Sequence, residues 1–272
     1  MKIALVGLGR TGRIVAEYLL EQDALAMVLC KPNSLSANSD LGELLNIKPT
    51  GIMLETTAHL EKKLFHKKPD VLIDFSSHHF LKENIHTLAK CGVNVVTAVT
   101  EYDRAEIEKF KALADKGNIG IVMAPNITYG VNVLMLMAEI AAEILGDYDF
   151  DVFEEHHKYK KDRPSGTAMK IANKIRNGLA TQKEIPEHVV RAGGIVGKHK
   201  VLICGEFDKL EISHESFSRV AFAQGAYKAA QFIAGKTGFY EMSDIFDSER
   251  RQRRQHAVMH PKTIELEKED PA

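Results

Sequence analysis

The sequence has few cysteines, and none of them lies in a spacing that builds a site. Cys30, Cys91 and Cys204 are far apart and belong to no CxxC or Cys/His pattern. An odd number of scattered cysteines favours reduced thiols and therefore a cytoplasmic protein. The same spacing argues against a zinc site, so no metal is expected.

The sequence also lacks an excess of charge of either sign. Lys+Arg 36 against Asp+Glu 37 gives a formal net charge of -1. Such a balance produces no long-range field that would favour nucleic acid or an anionic membrane, so an anionic ligand must be held by a local cluster. One short basic run near the C-terminus, RRQRRQH, has no interleaved aromatic residues and precedes an acidic segment. A nucleic-acid partner is therefore not expected.

Long hydrophobic runs are missing as well. The opening residues MKIALVGLGR contain an apolar run that is too short for a signal peptide and that breaks into glycines. The most apolar helix candidate, residues 131–145, contains two glutamates and is too short to span a bilayer. No membrane partner is expected. The hydrophobic content of 44% over 272 residues is enough for the core of one large domain or two ordinary ones.

Apolar strands alternate with helices in the first half of the chain. Strands are predicted at 3–6, 25–30, 71–75, 93–96 and 119–123, with helices at 13–21, 82–90 and 103–116. This alternation implies a parallel sheet that helices cover on both faces. After residue 123 the order becomes less regular, with helices predicted at 131–145, 167–179 and 219–234 and strands at 150–154, 200–204 and 209–214. The fold class is therefore α/β, with a second part of different architecture.

A glycine-rich turn, VGLGRTGR, follows the first predicted strand and opens the first helix. Gly7, Gly9 and Gly12 match the pattern GxGxxG in the context that makes it informative. Glycines let the backbone turn tightly and approach a pyrophosphate, while the helix start offers unpaired N–H groups. The alternative is a tight turn without a ligand. The predicted cofactor-binding residues in this turn are Gly7, Leu8, Gly9, Arg10, Thr11 and Gly12.

The end of the second predicted strand bears on the choice of cofactor. A dinucleotide-binding fold that reads the ribose 2′-hydroxyl places Asp or Glu there, whereas this chain has Cys30 followed by Lys31. Lys31 and Arg10 can pair with a 2′-phosphate that a carboxylate would repel. NADPH is therefore favoured and NADH remains possible; the alternative is that Lys31 is a solvated loop lysine.

Residues 154–168, EEHHKYKKDRPSGTA, concentrate titratable groups before a small polar turn. His156 and His157 are candidate proton donors because histidine titrates near neutral pH, and regular strand geometry lets at most one of them point inward. Lys160 offers a fixed positive charge or a second proton donor. The turn at 165–167 opens a helix and suits a carboxylate ligand. The alternative is a surface loop with an ordinary helix start.

Part of this stretch, HHKYKKDRPSGTA, resembles the signature of the 4-hydroxy-tetrahydrodipicolinate reductase family, formerly called dihydrodipicolinate reductase. Further matches follow in the same order and cover nearly the whole chain up to residue 247. They are VGLGRTGR, NSDLGELL (38–45), DFSSH (74–78), APNITYGVNVLM (124–135), RAGGIVGKH (191–199) and SRVAFAQGAYKAAQFIAGKTGFYEMSDIF (218–246).

The resemblance implies roles for individual residues. His156 corresponds to the acid/base residue and Lys160 to the proton donor. The residues implied for the substrate's carboxylates are His157, Ser165, Gly166 and Thr167. Further cofactor contacts fall on Ala98, Val99 and Thr100 and on Ala124, Pro125, Asn126 and Ile127. Four other charged residues of the stretch, Glu154, Glu155, Lys158 and Lys161, are expected to have no catalytic role.

The resemblance also implies a reaction and an architecture. The family reduces a cyclic imine dicarboxylate with NADH or NADPH, after loss of water, in the diaminopimelate route to lysine. Its fold is a Rossmann-like domain, here 1–125 with 235–247, and a second α/β domain, here 126–234, whose mixed, open sheet builds a homotetramer. Residues 248–272 form an additional charged tail that is expected to be partly disordered.

Three departures from the family pattern keep alternatives open. The glycine turn GLGRTG is one residue shorter than usual, Ala98-Val99-Thr100-Glu101 replaces Gly-Thr-Thr-Gly, and Arg163 replaces an alanine. The alternatives are a divergent paralogue that reduces a related imine or dicarboxylate, and a dinucleotide-binding sensor without turnover. A sensor should lose its proton donors before its glycine turn, so the retained His156 and Lys160 favour an enzyme.

Overall fold

The structure is a computed structural model that describes residues 1–117, 119–181 and 184–259, with the side chains of 256–259 not described. Strands and helices alternate through the first half of the chain. They are β1 (Ile3–Val6), α1 (Arg10–Glu21), β2 (Leu25–Cys30), α2 (Leu41–Leu45), β3 (Leu54–Thr56), α3 (Leu60–Lys67), β4 (Val71–Asp74), α4 (His78–Lys90), β5 (Asn94–Thr97), α5 (Arg104–Lys116) and β6 (Gly120–Met123).

The second half begins with a long helix and contains a second group of strands. Its elements are α6 (Tyr129–Ile144), β7 (Asp149–His156), α7 (Gly166–Gly178), β8 (Glu187–Arg191), β9 (Lys198–Cys204), β10 (Lys209–Glu215), α8 (Val220–Ile233), β11 (Gly238–Glu241) and α9 (Met242–Met259).

Among the described residues, seven strands form a parallel sheet in the order β11-β6-β5-β4-β1-β2-β3. Every residue of β1, β4, β5 and β6 is buried, because helices cover both faces of the sheet. From β1 the chain adds β2 and β3 on one side of that strand and then crosses over to add β4 on its other side. A crevice therefore opens between the carboxyl ends of β1 and β4. The predicted parallel sheet is confirmed; β3 and β11 were not among the predicted strands.

The second sheet is mixed, in the order β10-β9-β7-β8, with β7 parallel to β8 and antiparallel to β9. Burial alternates along β7, where Phe150, Val152, Glu154 and His156 all face inward. Side chains of α6 and α7 cover that inner face around Val152. The predicted α/β class with a mixed second sheet is confirmed, and its inner face ends in two titratable side chains.

Helix α8 packs on the parallel sheet rather than on the mixed one. Ala223, Ala226 and Ile233 share one core cluster with Ile3 and Leu5 of β1. The expected division at residues 234 and 235 groups α8 with the second unit, so the structure differs from it at this helix. The reason is that α8 is rich in alanine and can approach α1 closely, which the family resemblance behind this boundary does not register.

The beginning of the expected charged tail continues as helix. Residues 248–259 extend α9, and Glu249 Oε1 accepts a hydrogen bond of 3.0 Å from the hydroxyl of Tyr129. Residues 260–272 lie outside the described residues. Within the described ranges, no helix combines the length and apolar character that a membrane span requires.

Candidate active site

The glycine turn between β1 and α1 leaves an open space at the helix start. Gly7 has φ +94°, and an ideal Cβ on it would lie 2.6 Å from the carbonyl oxygen of Phe75. An ideal Cβ on Gly12 would overlap the carbonyl oxygen of Gly7. Beside Gly9, in contrast, no atom of the described residues lies within 4 Å of an ideal Cβ. This tight turn therefore exposes the N-terminal N–H groups of α1 to an unfilled space that an anion can occupy.

The other predicted cofactor residues lie at the same edge of the parallel sheet. Lys31 is exposed directly after β2, and Ala98–Thr100 follow β5. Residues Ala124–Ile127 follow β6, where Ala124 and Ile127 are 0% and 1% exposed. Because those two side chains pack in the core, their backbone groups rather than their side chains can face the edge.

The loop after β5 adopts its course without glycine. None of the residues 98–101 has a positive φ, so side chains are accommodated there without backbone strain. The N–H of Ala98 donates to the carbonyl oxygen of Asp74 at 3.0 Å. Glu101 Oε2 lies 3.1 Å from Nδ1 of His78, at the start of α4. The additional carboxylate is therefore directed toward a neighbouring histidine.

Asp74 is a buried carboxyl group that ties the loops after β4 and β5 together. It accepts hydrogen bonds from the N–H and the hydroxyl of Ser76, at 2.8 and 2.6 Å, and from the hydroxyl of Thr97 at 3.3 Å. Burial raises the pKa of Asp74 to about 6. Sequence reasoning did not single out this residue, although it opens the quoted motif DFSSH.

The histidine pair divides at the end of β7. His156 is the last residue of the strand and is 8% exposed, on the same inner face as Glu154 two residues earlier. His157 lies just beyond the strand and is half-buried. The expectation that at most one histidine points inward from the strand agrees with this geometry.

Cations from distant parts of the chain act electrostatically on His157. Partial burial and the positive charges of Arg219 and Arg10 lower the pKa of His157, with further contributions from His156 and Lys160. Arg10 lies on the glycine turn and Arg219 directly precedes α8. The site is therefore electropositive at the place where an anionic ligand would contact His157.

Lys160 is held in the loop that follows the histidines. Its Nζ lies 2.9 Å from Asp162 Oδ1, and its N–H donates to the carbonyl oxygen of His157 at 3.0 Å. The side chain is 25% exposed, so the ammonium group remains accessible. Lys160 thus stays close to the histidine pair.

The Ser-Gly-Thr turn connects the two sets of predicted site residues. Ser165 is buried, and its hydroxyl caps α7 by accepting a hydrogen bond from the N–H of Ala168 at 3.2 Å. Gly166 is exposed, and the hydroxyl of Thr167 donates to Asn126 Oδ1 at 2.8 Å. The segment after β6 and the start of α7 therefore meet, while the side chain of Ser165 is engaged in capping.

Glu154, which was expected to have no catalytic role, lies at the centre of a buried cluster. Its Oε1 lies 2.7 Å from Nη2 of Arg191 and accepts the N–H of Ser165 at 2.9 Å. Burial opposes ionisation, but the hydrogen bonds with His156, Ser165 and Arg191 together hold the pKa of Glu154 well below its usual range. Glu154 is therefore charged although it is buried.

His199 completes the cluster from the neighbouring strand. It stands opposite Glu154 in the β7–β9 register, and its ring centroid lies 5.1 Å from that of His156. Burial, assisted by the charge of His156, lowers the pKa of His199 to about 3, so the ring is neutral at neutral pH. Ligand atoms of Glu154, His156 and His199 lie within 4.8 Å of one another, a spacing that a metal ion could bridge. However, the guanidinium of Arg191 already compensates the charge of Glu154.

Sequence reasoning missed Arg191, His199 and Arg219 as site residues. A signal existed, because Arg191 and His199 are the first and last residues of the quoted motif RAGGIVGKH, and Arg219 follows the first residue of SRVAFAQGAY. These motifs did not indicate which groups the three side chains contact.

Two family models match this chain. The model of the dihydrodipicolinate reductase N-terminus matches residues 1–127, and that of the dihydrodipicolinate reductase C-terminus matches residues 130–246. A 4-hydroxy-tetrahydrodipicolinate reductase of Methanocaldococcus jannaschii is 37% identical over an alignment of 268 residues, with coverage of 90% of this chain and 97% of that protein. A reductase of the same name from Methanosarcina barkeri is 35% identical over 263 residues, covering 90% of this chain and 98% of that protein.

Solved structures share the fold at lower identity. A dipicolinate-bound dihydrodipicolinate reductase from Paenisporosarcina sp. TG-14 superposes with a TM-score of 0.75 at 23% identity, covering 89% of this chain and 97% of that chain. An amine dehydrogenase from Mycobacterium smegmatis superposes with a TM-score of 0.57 at 13% identity, covering 88% of this chain and 94% of that chain. These likenesses support the arrangement of a parallel sheet followed by a smaller mixed one.

Proposed function

The chain belongs to the dihydrodipicolinate reductase family, and from that membership we propose that it reduces 4-hydroxy-tetrahydrodipicolinate to tetrahydrodipicolinate. The reaction uses NAD(P)H and includes the loss of water, in the diaminopimelate route to lysine. The protein is accordingly an oxidoreductase that acts on a small cyclic dicarboxylate.

One observation carries this proposal for the chain's own site: cations and helix-start N–H groups converge beside a proton-exchanging side chain. Arg10, Lys160 and Arg219 all act on His157, next to His156. The Thr167 hydroxyl joins this region to the segment after β6, at the cofactor-facing edge. A ring with two carboxylates that accepts a hydride needs cations and N–H groups to bind it and a proton-exchanging side chain at the same place.

The residues divide by what they can do to such a substrate. His156 exchanges a proton with the reacting ring, and the ammonium of Lys160 stabilises developing charge or donates a proton. His157, Gly166 and Thr167 hold carboxylates, through a ring N–H, backbone N–H groups at the start of α7 and a hydroxyl. The nicotinamide supplies the hydride when it is bound.

The proposed cofactor is NADPH, with NADH as the possible substitute. The space beside Gly9 fits a pyrophosphate, because a Cβ there would meet no described atom and the N-terminus of α1 faces it. Lys31 is exposed at the end of β2, where no carboxylate directly follows the strand. Its cation can therefore reach the 2′-phosphate.

Lys31→Glu is expected to weaken NADPH binding by about 10- to 100-fold, because one charge-assisted phosphate contact is lost and a repulsive charge is added. NADH binding should change by less than about threefold, since NADH lacks the phosphate. Fluorescence titration of both cofactors measures the difference. Lys116→Glu is the matched control, because Lys116 is exposed at the far end of α5 from the cofactor edge. Equal weakening of both cofactors by Lys31→Glu would refute the phosphate contact.

We also propose a homotetramer built through the outer face of the mixed sheet. On that face Phe153 stacks on His188 with ring centroids 4.3 Å apart, and Val190 is 45% exposed. Half-exposed apolar side chains on a sheet that helices cover on one face alone are typical of a surface that a second copy covers. Light scattering should yield four times the chain mass of 30.3 kDa; a monomer at micromolar concentration would contradict the proposal.

A cytoplasmic location remains a prediction. Within the described residues Cys30, Cys91 and Cys204 are free thiols, which is compatible with a reducing compartment. Fractionation of the source cells tests it, and recovery of the protein outside the cytoplasm would contradict it.

The direct test of function is an NADPH oxidation assay. The purified protein is mixed with NADPH and the freshly generated product of dihydrodipicolinate synthase, and the loss of NADPH absorbance is followed. Turnover is expected because the proposed proton donors, His156 and Lys160, and the proposed carboxylate-binding turn lie close to one another at the end of β7. NADPH binding without turnover would instead favour a paralogue with another imine or dicarboxylate substrate, or a sensor.

A further inference from the structure

Glu154 is a buried charged side chain that the reaction described above does not use. The side chains of Glu154 and Arg191 are 0% and 1% exposed. A buried ion pair usually stabilises a fold no better than apolar side chains of the same volume, because both charges lose their hydration. The charge at Glu154 therefore calls for a reason other than packing.

One oxygen of this carboxylate is held from two directions. Oε1 lies 2.7 Å from Nη2 of Arg191 on β8, and it accepts the N–H of Ser165 at 2.9 Å at the start of α7. The same Nη2 donates to the carbonyl oxygen of Asp162 at 2.6 Å. These contacts give the carboxylate a single orientation and connect it to the loop that carries Lys160.

The second oxygen is directed at His156. Oε2 lies 3.2 Å from Nδ1 of His156 and 3.9 Å from Nε2 of His199. His199 is neutral at neutral pH, so it does not compete as a cation. Neither Oε2 nor Nδ1 meets hydrogen-bond geometry with any group in the described part of the chain, so the 3.2 Å contact between them is the shortest pairing that either atom has. The pairing that this geometry leaves is Nδ1–H of His156 with Oε2 of Glu154.

Such a pairing determines which ring nitrogen exchanges protons. A carboxylate that accepts Nδ1–H selects one tautomer and leaves Nε2 to take or give a proton. It also stabilises the imidazolium ion once that has formed. Nε2 lies on the side of the ring that faces Gly197, where an ideal Cβ would approach it to 3.3 Å. Because residue 197 is a glycine, no side chain from that position covers Nε2.

We propose that Glu154 is a positioning residue: one oxygen is clamped by Arg191 and Ser165, and the other sets the orientation and the tautomer of His156. Through the same clamp, Glu154 holds the Ser-Gly-Thr turn at a fixed place relative to the imidazole ring. The catalytic part of this inference rests on the proposed function, in which His156 exchanges a proton with the substrate.

Several charged or titratable groups face His156 and must be considered in any pH profile. They are Glu154 on its own strand, Arg191 on β8, His199 on β9, His214 on β10 beside His199, and His157 and Lys160 from the following loop.

The first test reads the tautomer directly and needs no substrate. Nitrogen-15 NMR of the full-length protein at alkaline pH should show His156 protonated at Nδ1, with its signals assigned by their loss in His156→Asn. In Glu154→Gln the amide can donate to Nδ1, so the proton should move to Nε2. Wild-type His156 protonated at Nε2 overturns the proposal without reference to any variant.

The second test separates positioning from structure by kinetics. Glu154→Gln should lower kcat by about 10²-fold with KM changed by less than about threefold, because the proton-exchanging nitrogen is altered while the carboxylate-binding groups remain. The imidazolium also loses its carboxylate, so the pH dependence of kcat should differ from that of the wild type. Glu154→Asp retains the charge and should recover to within about tenfold of wild type.

Glu155→Gln is the matched control. Glu155 undergoes the same chemical change on the opposite face of the same strand, where it lies 3.7 Å from Lys198. It should leave kcat, the pH profile and the His156 tautomer unchanged. Equal losses in Glu154→Gln and Glu155→Gln, or an unchanged tautomer in Glu154→Gln, contradict the proposal.

Three further outcomes are distinguishable. If the wild type shows no turnover, the proposed function fails, while the NMR tautomer still decides the role of Glu154. If Glu154→Gln does not fold, the wild-type tautomer and Glu154→Asp provide the decision. A wild-type rate that falls after chelator treatment would show that Glu154, His156 and His199 hold a metal, which overturns the hydrogen-bond role.

Discussion

Replacing His156 or Lys160 by alanine is expected to lower the rate of hydride transfer by about 10²- to 10⁴-fold, the range that general acid/base groups contribute. His156 lies at the buried end of β7, and Lys160 follows in the loop, where its Nζ pairs with Asp162 and its N–H donates to the carbonyl oxygen of His157. Neither side chain lies on the glycine turn, so NADPH affinity should change by less than about threefold. Stopped-flow NADPH oxidation in a single turnover measures the chemical step, and fluorescence titration measures cofactor binding.

The control for this prediction is Lys161→Ala, which removes an exposed neighbouring cation and should leave the rate unchanged. Combining the two site substitutions should cost less than the sum of the single effects if His156 and Lys160 act as a unit. A rate within about tenfold of wild type in both single variants would remove these residues from the chemistry. Thermal melts of each variant establish that the fold is retained.

Gly12→Ala is expected to destabilise the fold by about 1–3 kcal/mol and to weaken NADPH binding at least about tenfold. The added methyl group would overlap the carbonyl oxygen of Gly7, which belongs to the turn that exposes the N-terminus of α1. This overlap can be relieved only if β1 and α1 move apart, because Gly12 is buried. Chemical denaturation without cofactor measures the first effect and a cofactor titration the second.

Gly9→Ala separates packing from binding in the same turn. Its ideal Cβ meets no described atom within 4 Å, so the free energy of unfolding should change by less than about 0.5 kcal/mol. The methyl group would nevertheless occupy the space proposed for the pyrophosphate, so NADPH affinity should fall about tenfold or more. Normal binding by Gly9→Ala would place the pyrophosphate elsewhere, and wild-type stability in Gly12→Ala would show that the turn can relax.

Most of the parallel sheet could be predicted because its signal is local. β1, β4, β5 and β6 are short apolar runs between helical patterns, and burial on both faces demands that composition. Strands β3, β8 and β11 were missed because they contain three to five residues with few consecutive apolar side chains. They form strands because each hydrogen-bonds to the edge of a neighbouring strand. The residues of these segments alone do not indicate that neighbour.

The length of β7 illustrates the same limit. The strand was predicted to end at residue 154 because charged residues follow, yet it continues to His156. Pairing of His156 with Arg191 and of Glu155 with Lys198 extends the ladder. It also brings Arg191 beside the carboxylate of Glu154 and Lys198 beside that of Glu155. Because the strand continues to His156, Glu154 and His156 lie on the same buried face.

The sequence by itself determined the features that reside in one contiguous stretch: the glycine turn, the histidine pair with its lysine, and the small turn that starts α7. Tertiary structure decided which distant side chains meet them. The charges of Arg10 and Arg219 act on His157, and Arg191 and His199 lie beside Glu154. The physical reason is that charge in a buried site is stabilised by whichever groups the strand register places opposite it. Register is set by the whole sheet, and no local spacing carries that information.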